Sequence, residues 1–402
     1  MPETADAAEV RAEPWVERGV CYAFFAYDVG LAIDLDEAQR RITALKERAT
    51  IRHKRRAPRY FEYRPAPLRV TQSGERLAIG AWHTEPSVDA LCFDFGAVSV
   101  SYAIPLAGSF DDLLGLSESL YENPTLLADS RRRVEQLLAD VDPAVARPHI
   151  ADFVETYAIL QIEALRGSWT PAELLGREAE RLARILRAER VALSREEVAD
   201  ALAARISFSP DDLALIDWEA AILFDRDPDD VRDVLEFANV ELLEMRFLDQ
   251  QLDDALDQAY EALTRGSWRV IGPRSARADL RRIGRLQVDA AILFEGVNNA
   301  LKLLGEQYLA RVYRLVSDRF HLAEWDASIL RKLQTLDSIY QKLSDFAATR
   351  RMELMEWIII ILIAVEIGLT LISHRYEGWP SAPHVGNVGL RHDPDLAAGR
   401  HS

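Results

Sequence analysis

Cysteine is nearly absent from this 402-residue chain, which has only Cys21 and Cys92. Two thiols cannot make a zinc site between them and are a poor basis for a disulfide framework. They fit a reducing compartment and a packing role as small apolar side chains. A leader is lacking as well: residues 1–9 are acidic and Ala-rich, with no cationic or apolar segment, so the body is expected to stay where it is made. No Walker-type phosphate loop, dinucleotide Gly-rich turn, His-Glu-x-x-His or nucleophile elbow occurs. Asp94-Phe95-Gly96 spells the kinase metal-binding triplet, but no His-Arg-Asp loop accompanies it, and it reads as part of a hairpin. Positive charge is also short, 48 Lys and Arg against 65 Asp and Glu for a net −17. That balance works against general adsorption to nucleic acid or anionic lipid.

The rest of the composition, 49% hydrophobic and 28% charged, is that of a folded protein. Its length calls for two or three modules. One run stands apart: from Leu354 to Ile372 the chain is almost wholly apolar, with four consecutive isoleucines from Ile358 to Ile361. At helical rise it spans roughly 28 Å, close to the ~30 Å hydrocarbon core of a bilayer. Trp357 and Tyr376 suit the two interfaces. Lys342, Arg350 and Arg351 precede the run and Arg375 follows it, which predicts a cytosolic body and a short exported tail. Glu366 lies within the run, where a charged carboxylate costs about 2.5–3.5 kcal/mol. It is read either as a hydrogen-bonding contact between identical helices or as a tolerated, neutral Glu.

Along the body, Val20–Val29 reads as a strand and Leu35–Arg48 as a helix. Leu68–Thr71 and Leu77–Trp82 read as short strands. Alternation at Leu91, Phe93 and Phe95, and again from Val98 to Ile104, predicts a hairpin with one apolar face. Helices are expected at Phe110–Tyr121 and Pro124–Asp140, whereas Val154–Leu165 fits strand or helix. Beyond residue 170 the pattern is helical. Thr170-Pro171, Ser209-Pro210 and Asp227-Pro228 each pair an N-cap residue with Pro at the first helical position. The echo of Arg-Gly-Ser-Trp at 166–169 and 265–268 reads as two Gly-capped helix ends. Apolar or small residues from Val231 to Leu263 follow a heptad, interrupted by Asp249. This stripe fits a seam within one chain or between chains. A block from Ala276 to Val316 and a heptad helix from Ala323 complete the body. With no break before the apolar run, a helix from Glu324 to Ile372 would be roughly 74 Å long.

Two charge clusters stand out. Asp249, Asp253, Asp254 and Asp257 form a negative stripe that reads as a solvated face, with a divalent-cation site, and hence a metal-dependent enzyme, as the alternative. The segment from Arg48 to Arg69 carries Arg48, Arg52, Lys54, Arg55, Arg56, Arg59, Arg64 and Arg69 against Glu62, with Tyr60, Phe61 and Tyr63 interleaved. Cations among aromatics suit RNA, cations alone suit anionic headgroups, and either could instead neutralise the chain's own acidic helices.

The run Arg350-Arg351-Met352-Glu353-Leu354-Met355-Glu356-Trp357-Ile358-Ile359-Ile360-Ile361, with Glu366 inside the helix that follows, resembles the end of the family named "required for meiotic nuclear division". Val240-Glu241-Leu242-Leu243-Glu244-Met245-Arg246 and the Asp-Phe-Gly-Ala hairpin are similar as well. The resemblance implies a membrane-anchored, self-associating protein without enzymatic activity or cofactor, and, from mitochondrial relatives, a link to translation. With no mitochondrial leader, it implies a cytoplasmic (inner) membrane. The expected organisation is an α+β protein: a flexible N-terminus (1–17), an α+β head (18–170), a helical domain (171–322), a coiled-coil stalk (323–353), a transmembrane helix (354–372) and a flexible tail (373–402). The expected partners are the membrane, further copies of the chain, and RNA or the ribosome. No small-molecule substrate is indicated.

Overall fold

The aromatic and β-branched run near the N-terminus forms β1 (Trp15–Asp28), the middle strand of a nine-stranded sheet in the computed structural model of the chain. The structure describes residues 13–43, 45–48, 65–226, 228–264, 284, 288, 291 and 307–376. Contacts divide the chain into two units, Met1–Tyr340 and Gln341–Ser402.

In the first unit β1 is followed by β2 (Ala32–Ile33), α1 (Leu35–Arg41), β3 (Leu45–Arg48), β4 (Leu68–Ser73), β5 (Ala78–Ile79), β6 (Trp82–His83), β7 (Ser87–Cys92) and β8 (Ala97–Ser109). Then come α2 (Phe110–Leu120), α3 (Pro124–Val141), β9 (Val145–Ala146), β10 (Glu155–Leu165), α4 (Pro171–Arg177), α5 (Ala179–Arg187) and α6 (Arg195–Ala201). Three strands follow, β11 (Arg205–Ile206), β12 (Leu213–Ile216) and β13 (Ala220–Phe224), and then α7 (Asp229–Thr264), α8 (Gln307–Arg319) and α9 (Leu322–Tyr376). The sheet order is β11-β12-β13-β10-β1-β8-β7-β4-β3. Every neighbouring pair is antiparallel except β10 and β13, which run parallel.

Both faces of β1 are covered. Cys21, Ala23, Phe25 and Tyr27 join one core with α2, α3 and α5, while Ala26 joins Leu91, Phe93 and Ala97 beneath Val240 and Leu243 of α7. Alternate residues reach opposite faces, so a strand buried on both sides loses the polar alternation of a half-exposed one. Local chemistry starts the helices: Ser109 with Asp112, and Thr170 with Glu173, form capping boxes, and Pro124 and Pro171 occupy first-turn positions.

The α+β class and the hairpin over Asp94-Phe95-Gly96 agree with expectation, and Val154–Leu165 resolves as strand β10. Several elements differ. The helix expected over Leu35–Arg48 stops at Arg41, where Ile42 turns extended, and Leu45–Arg48 pairs with β4 instead. Leu77–Trp82 splits into β5 and β6 around Gly80. The stretch beyond 170, expected to be helical, contains β11–β13. Ser209-Pro210 caps no helix there, because the Asp212 carboxylate folds back to accept from the backbone N–H groups of Phe208 (2.6 Å) and Ser209 (3.0 Å). The first Arg-Gly-Ser-Trp follows a strand: the Arg166 N–H donates to the Trp15 carbonyl and its guanidinium lies over the Trp15 ring. The second copy lies outside the described residues.

The heptad positions Val231, Leu235, Ala238, Leu242, Met245, Leu252 and Ala259 of α7 are buried within a single copy, as are Ile329 and Leu336 of α9. The part of that stripe described here is therefore an intramolecular seam. In the second unit the described residues belong to α9. Met352–Leu371 is the one helical stretch among the described residues long and apolar enough to cross a membrane, and none of it is buried. Glu366 is exposed within it, and its carbonyl accepts from the Thr370 hydroxyl at 2.8 Å.

Candidate functional site

Where β1 ends, backbone hydrogen bonds tie three distant segments together. The Val29 N–H donates to the Gly96 carbonyl (2.9 Å), Leu31 to Ala146 (2.8 Å), His149 to Val29 (3.1 Å) and Ala151 to Asp28 (3.0 Å). The approach needs glycine at 96, where φ is +101° and a Cβ would stand 1.8 Å from the Gly30 carbonyl oxygen. Against this knot α7 lays Glu244, Phe247 and Gln251, enclosing a cleft of about 170 Å³.

Asp28 and Glu244 are 4% and 7% exposed, and both line the cleft. His149 closes one side, its Nε2 2.8 Å from Asp28 Oδ1 and its ring stacked on Phe247. Nδ1 faces the Arg147 carbonyl at 3.1 Å, and Arg147 itself holds a left-handed backbone, φ +54°. An oxygen before each ring nitrogen favours the protonated ring. The Asp28 carboxylate accordingly holds the His149 pKa above its usual value. Burial pushes Asp28 up, opposed by His149, and burial pushes Glu244 up further, reinforced by the charge of Asp28. The cleft thus brings two buried carboxyls and an imidazole together, groups whose proton equilibria are coupled. Among the described residues the polar groups lining it are two carboxyls, an imidazole, a guanidinium and the Gln251 amide.

A second cleft in this unit, about 700 Å³, is bordered by Tyr121, Trp218 and Trp325. At its wall Arg246 donates to Glu155 (2.7 Å), whose carboxyl burial pushes up to about 7. Asp217, 1% exposed, lies between Arg187 Nε at 2.6 Å and Arg319 Nη2 at 2.5 Å. Both guanidiniums also reach Asp200.

The charge clusters of the sequence fall elsewhere. Lys332 lies 2.8 Å from Asp249 and 2.6 Å from Asp253, so the acidic stripe already holds an internal cation. Among the described residues no three His, Cys, Asp or Glu side chains are placed to hold a metal ion. Of the basic segment, Arg48 sits in β3 opposite Leu68, and Arg52, Lys54, Arg55, Arg56, Arg59 and Arg64 lie outside the described residues. Arg69 pairs with Asp89 (3.3 Å) and feels Asp233 and Glu236 of α7, so that cation serves its own chain.

Sequence reasoning did not pick out Asp28, His149 or Glu244. One signal was present: Glu241 and Glu244 interrupt an apolar helix segment, and a buried carboxyl is a functional-site candidate. Glu241 is accounted for by the Tyr313 hydroxyl, which donates to it at 2.7 Å.

No solved structure matches the chain. One curated relative, an uncharacterized protein of Methanocaldococcus jannaschii, is 26% identical over 196 residues, covering 47% of this chain and 58% of that protein. The N-terminal domain of that protein, MJ0711, defines a family matching residues 18–230, from β1 to the first residues of α7. The match takes in Asp28 and His149 and stops short of Glu244. Since it covers more than half of its length, the chain belongs to this family, described as uncharacterized protein MJ0711, N-terminal domain.

Proposed function

We propose that the protein is a membrane-tethered, self-associating scaffold whose sheet-based unit receives a partner at the membrane. The observation that carries this reading is the stretch Met352–Leu371, helical, apolar and without a buried residue. Leaving roughly twenty such side chains in water forfeits most of their transfer free energy, at about 25 cal/mol for each Å² of apolar surface, and a bilayer removes that cost. The likeness of residues 350–366 to the "required for meiotic nuclear division" family supports the same reading. Glu366 supports self-association, because a carboxyl in hydrocarbon gains from a hydrogen bond to its counterpart on a second helix.

Alkaline carbonate extraction of membranes from cells making the full chain tests the tether. The protein stays in the pellet, and a variant with Ile360→Lys and Leu362→Lys moves to the supernatant. Release of the unaltered chain refutes the tether. Crosslinking in membranes tests the second part: Glu366→Leu lowers the dimer yield and Glu366→Gln keeps it, whereas equal yields refute the contact.

A further inference from the structure

The carboxyl pair at the end of β1 is built for something that the tether does not use. Glu244 is nine-tenths buried and faces the cleft, and among the described residues no N–H or O–H reaches its Oε1. Beside it stands Asp28, also nine-tenths buried, held from the other side by His149 at 2.8 Å. Two buried carboxyls in contact cannot both carry charge unless something positive lies between them. In the free protein that is a proton. We propose that the cleft between Asp28 and Glu244 is a binding site for a compact organic cation, an alkylammonium group whose N–H donors replace the proton between the two carboxyls.

The surroundings fit such a group better than a bare metal ion. A cavity of about 170 Å³ is close to the ~150 Å³ that holds a benzene-sized molecule, so only a few heavy atoms enter. Phe95 and Phe247 supply apolar walls for a short alkyl chain and ring faces for a cation. Gln251 offers a carbonyl and an amide at the rim. The charged groups facing Glu244 are Asp28 on β1 and, beyond β9, Arg147 and His149. His149 lies against Asp28, and Arg147 is exposed where it lines the cleft, a place to meet a carboxylate borne by the ligand. An ammonium compound with a short acidic arm is therefore expected to bind more tightly than the bare amine.

The exchange balances: the ammonium enters, one proton leaves Glu244 for solvent, and no bond to carbon changes. The test is titration calorimetry of the detergent-solubilised full chain with propylammonium chloride, repeated with β-alanine, at pH 7 in phosphate and in MOPS, a bulky zwitterion with no primary ammonium. The expected result is saturable millimolar or tighter binding whose heat differs between the buffers by close to one released proton per ligand. Glu244→Gln, which keeps the shape and removes the charge, weakens binding at least tenfold and abolishes the buffer dependence. Its thermal melt, compared with that of the parent chain, establishes that it is folded, and if it is not, Gln251→Ala serves, with an expected loss of affinity for β-alanine. Absence of saturable heat with both ligands overturns the proposal, as does binding without proton release. Proton-releasing binding of Mg²⁺ or Ca²⁺ without binding of either ammonium overturns it in favour of a metal site.

Discussion

Asp217 has two cations and almost no water, and this makes its energetics calculable. Replacing Arg319 by Met leaves Arg187 at 2.6 Å, and the reverse substitution leaves Arg319 at 2.5 Å. Losing Arg319 removes two charge-assisted hydrogen bonds to Asp217 Oδ1, from Nε at 2.8 Å and Nη2 at 2.5 Å, whereas losing Arg187 removes an ion pair, and each change costs about 1–3 kcal/mol. Replacing both leaves a carboxylate that is 1% exposed without its cations, still held by the Trp218 N–H at 2.9 Å, and stripping a buried charge of its counter-charges costs about 3–5 kcal/mol. The double variant thus loses about 3–5 kcal/mol, more than either parent alone. Urea denaturation of a fragment ending at Tyr340, followed by tryptophan fluorescence, reads these values. A double variant no less stable than either parent would refute the clamp.

Other consequences are quicker to check. Tyr102 is wholly buried and donates to Asp129 at 2.8 Å, so Tyr102→Phe lowers the unfolding free energy of the same fragment by about 2 kcal/mol; a loss below about 0.5 would show the bond to be idle. Gly96→Ala drives a Cβ into the Gly30 carbonyl at a backbone angle that disfavours side chains, and soluble yield of the fragment should collapse while the exposed Gly176→Ala leaves it intact. Glu155, Asp233 and Glu241 are pushed up to about 7 by burial. Because these folded pKa values exceed the unfolded ones, near 4, the folded state keeps protons that the unfolded state sheds, and stability rises as pH falls from about 7 toward 4.5. A urea midpoint at pH 5.5 no higher than at pH 8 would contradict this. His149 works in the same direction through a raised pKa: its contribution is complete below about pH 6.5 and fades at higher pH, so His149→Gln flattens the profile above neutrality.

How legible the fold was depended on how local its determinants are. Capping boxes, hairpin alternation and the apolar run are written within a dozen residues, and α2, α3, β7, β8 and the exposed stretch of α9 followed from them. Leu45–Arg48 was hidden because its partner is β4, about twenty residues further along the sequence, and pairing outweighed the helical spacing of the isolated segment. β12 and β13 were hidden because both are buried throughout and offer no alternation to read. The cleft was illegible for a different reason. Asp28, His149 and Glu244 come from a strand end, a loop and a helix, and only the burial of β1 on both faces brings them within reach of one another.

The position of β1 also sets a timetable. The first strand to be synthesised is the fifth of nine in the sheet, flanked by β8 and β10. Translation at about 5–20 residues per second leaves it without its second neighbour for roughly 7–27 s, since β10 ends at Leu165, 137 residues after Asp28. During that interval one edge of β1 stays unpaired even after β8 has been made, a state that invites pairing with other chains. The stretch Met352–Leu371 leaves the ribosome only after every strand of the sheet has been made. The nascent chain can therefore close its nine-stranded sheet before Met352–Leu371 emerges, and a slow ribosome or a waiting chaperone at β1 would matter more to its yield than anything that happens at that helix.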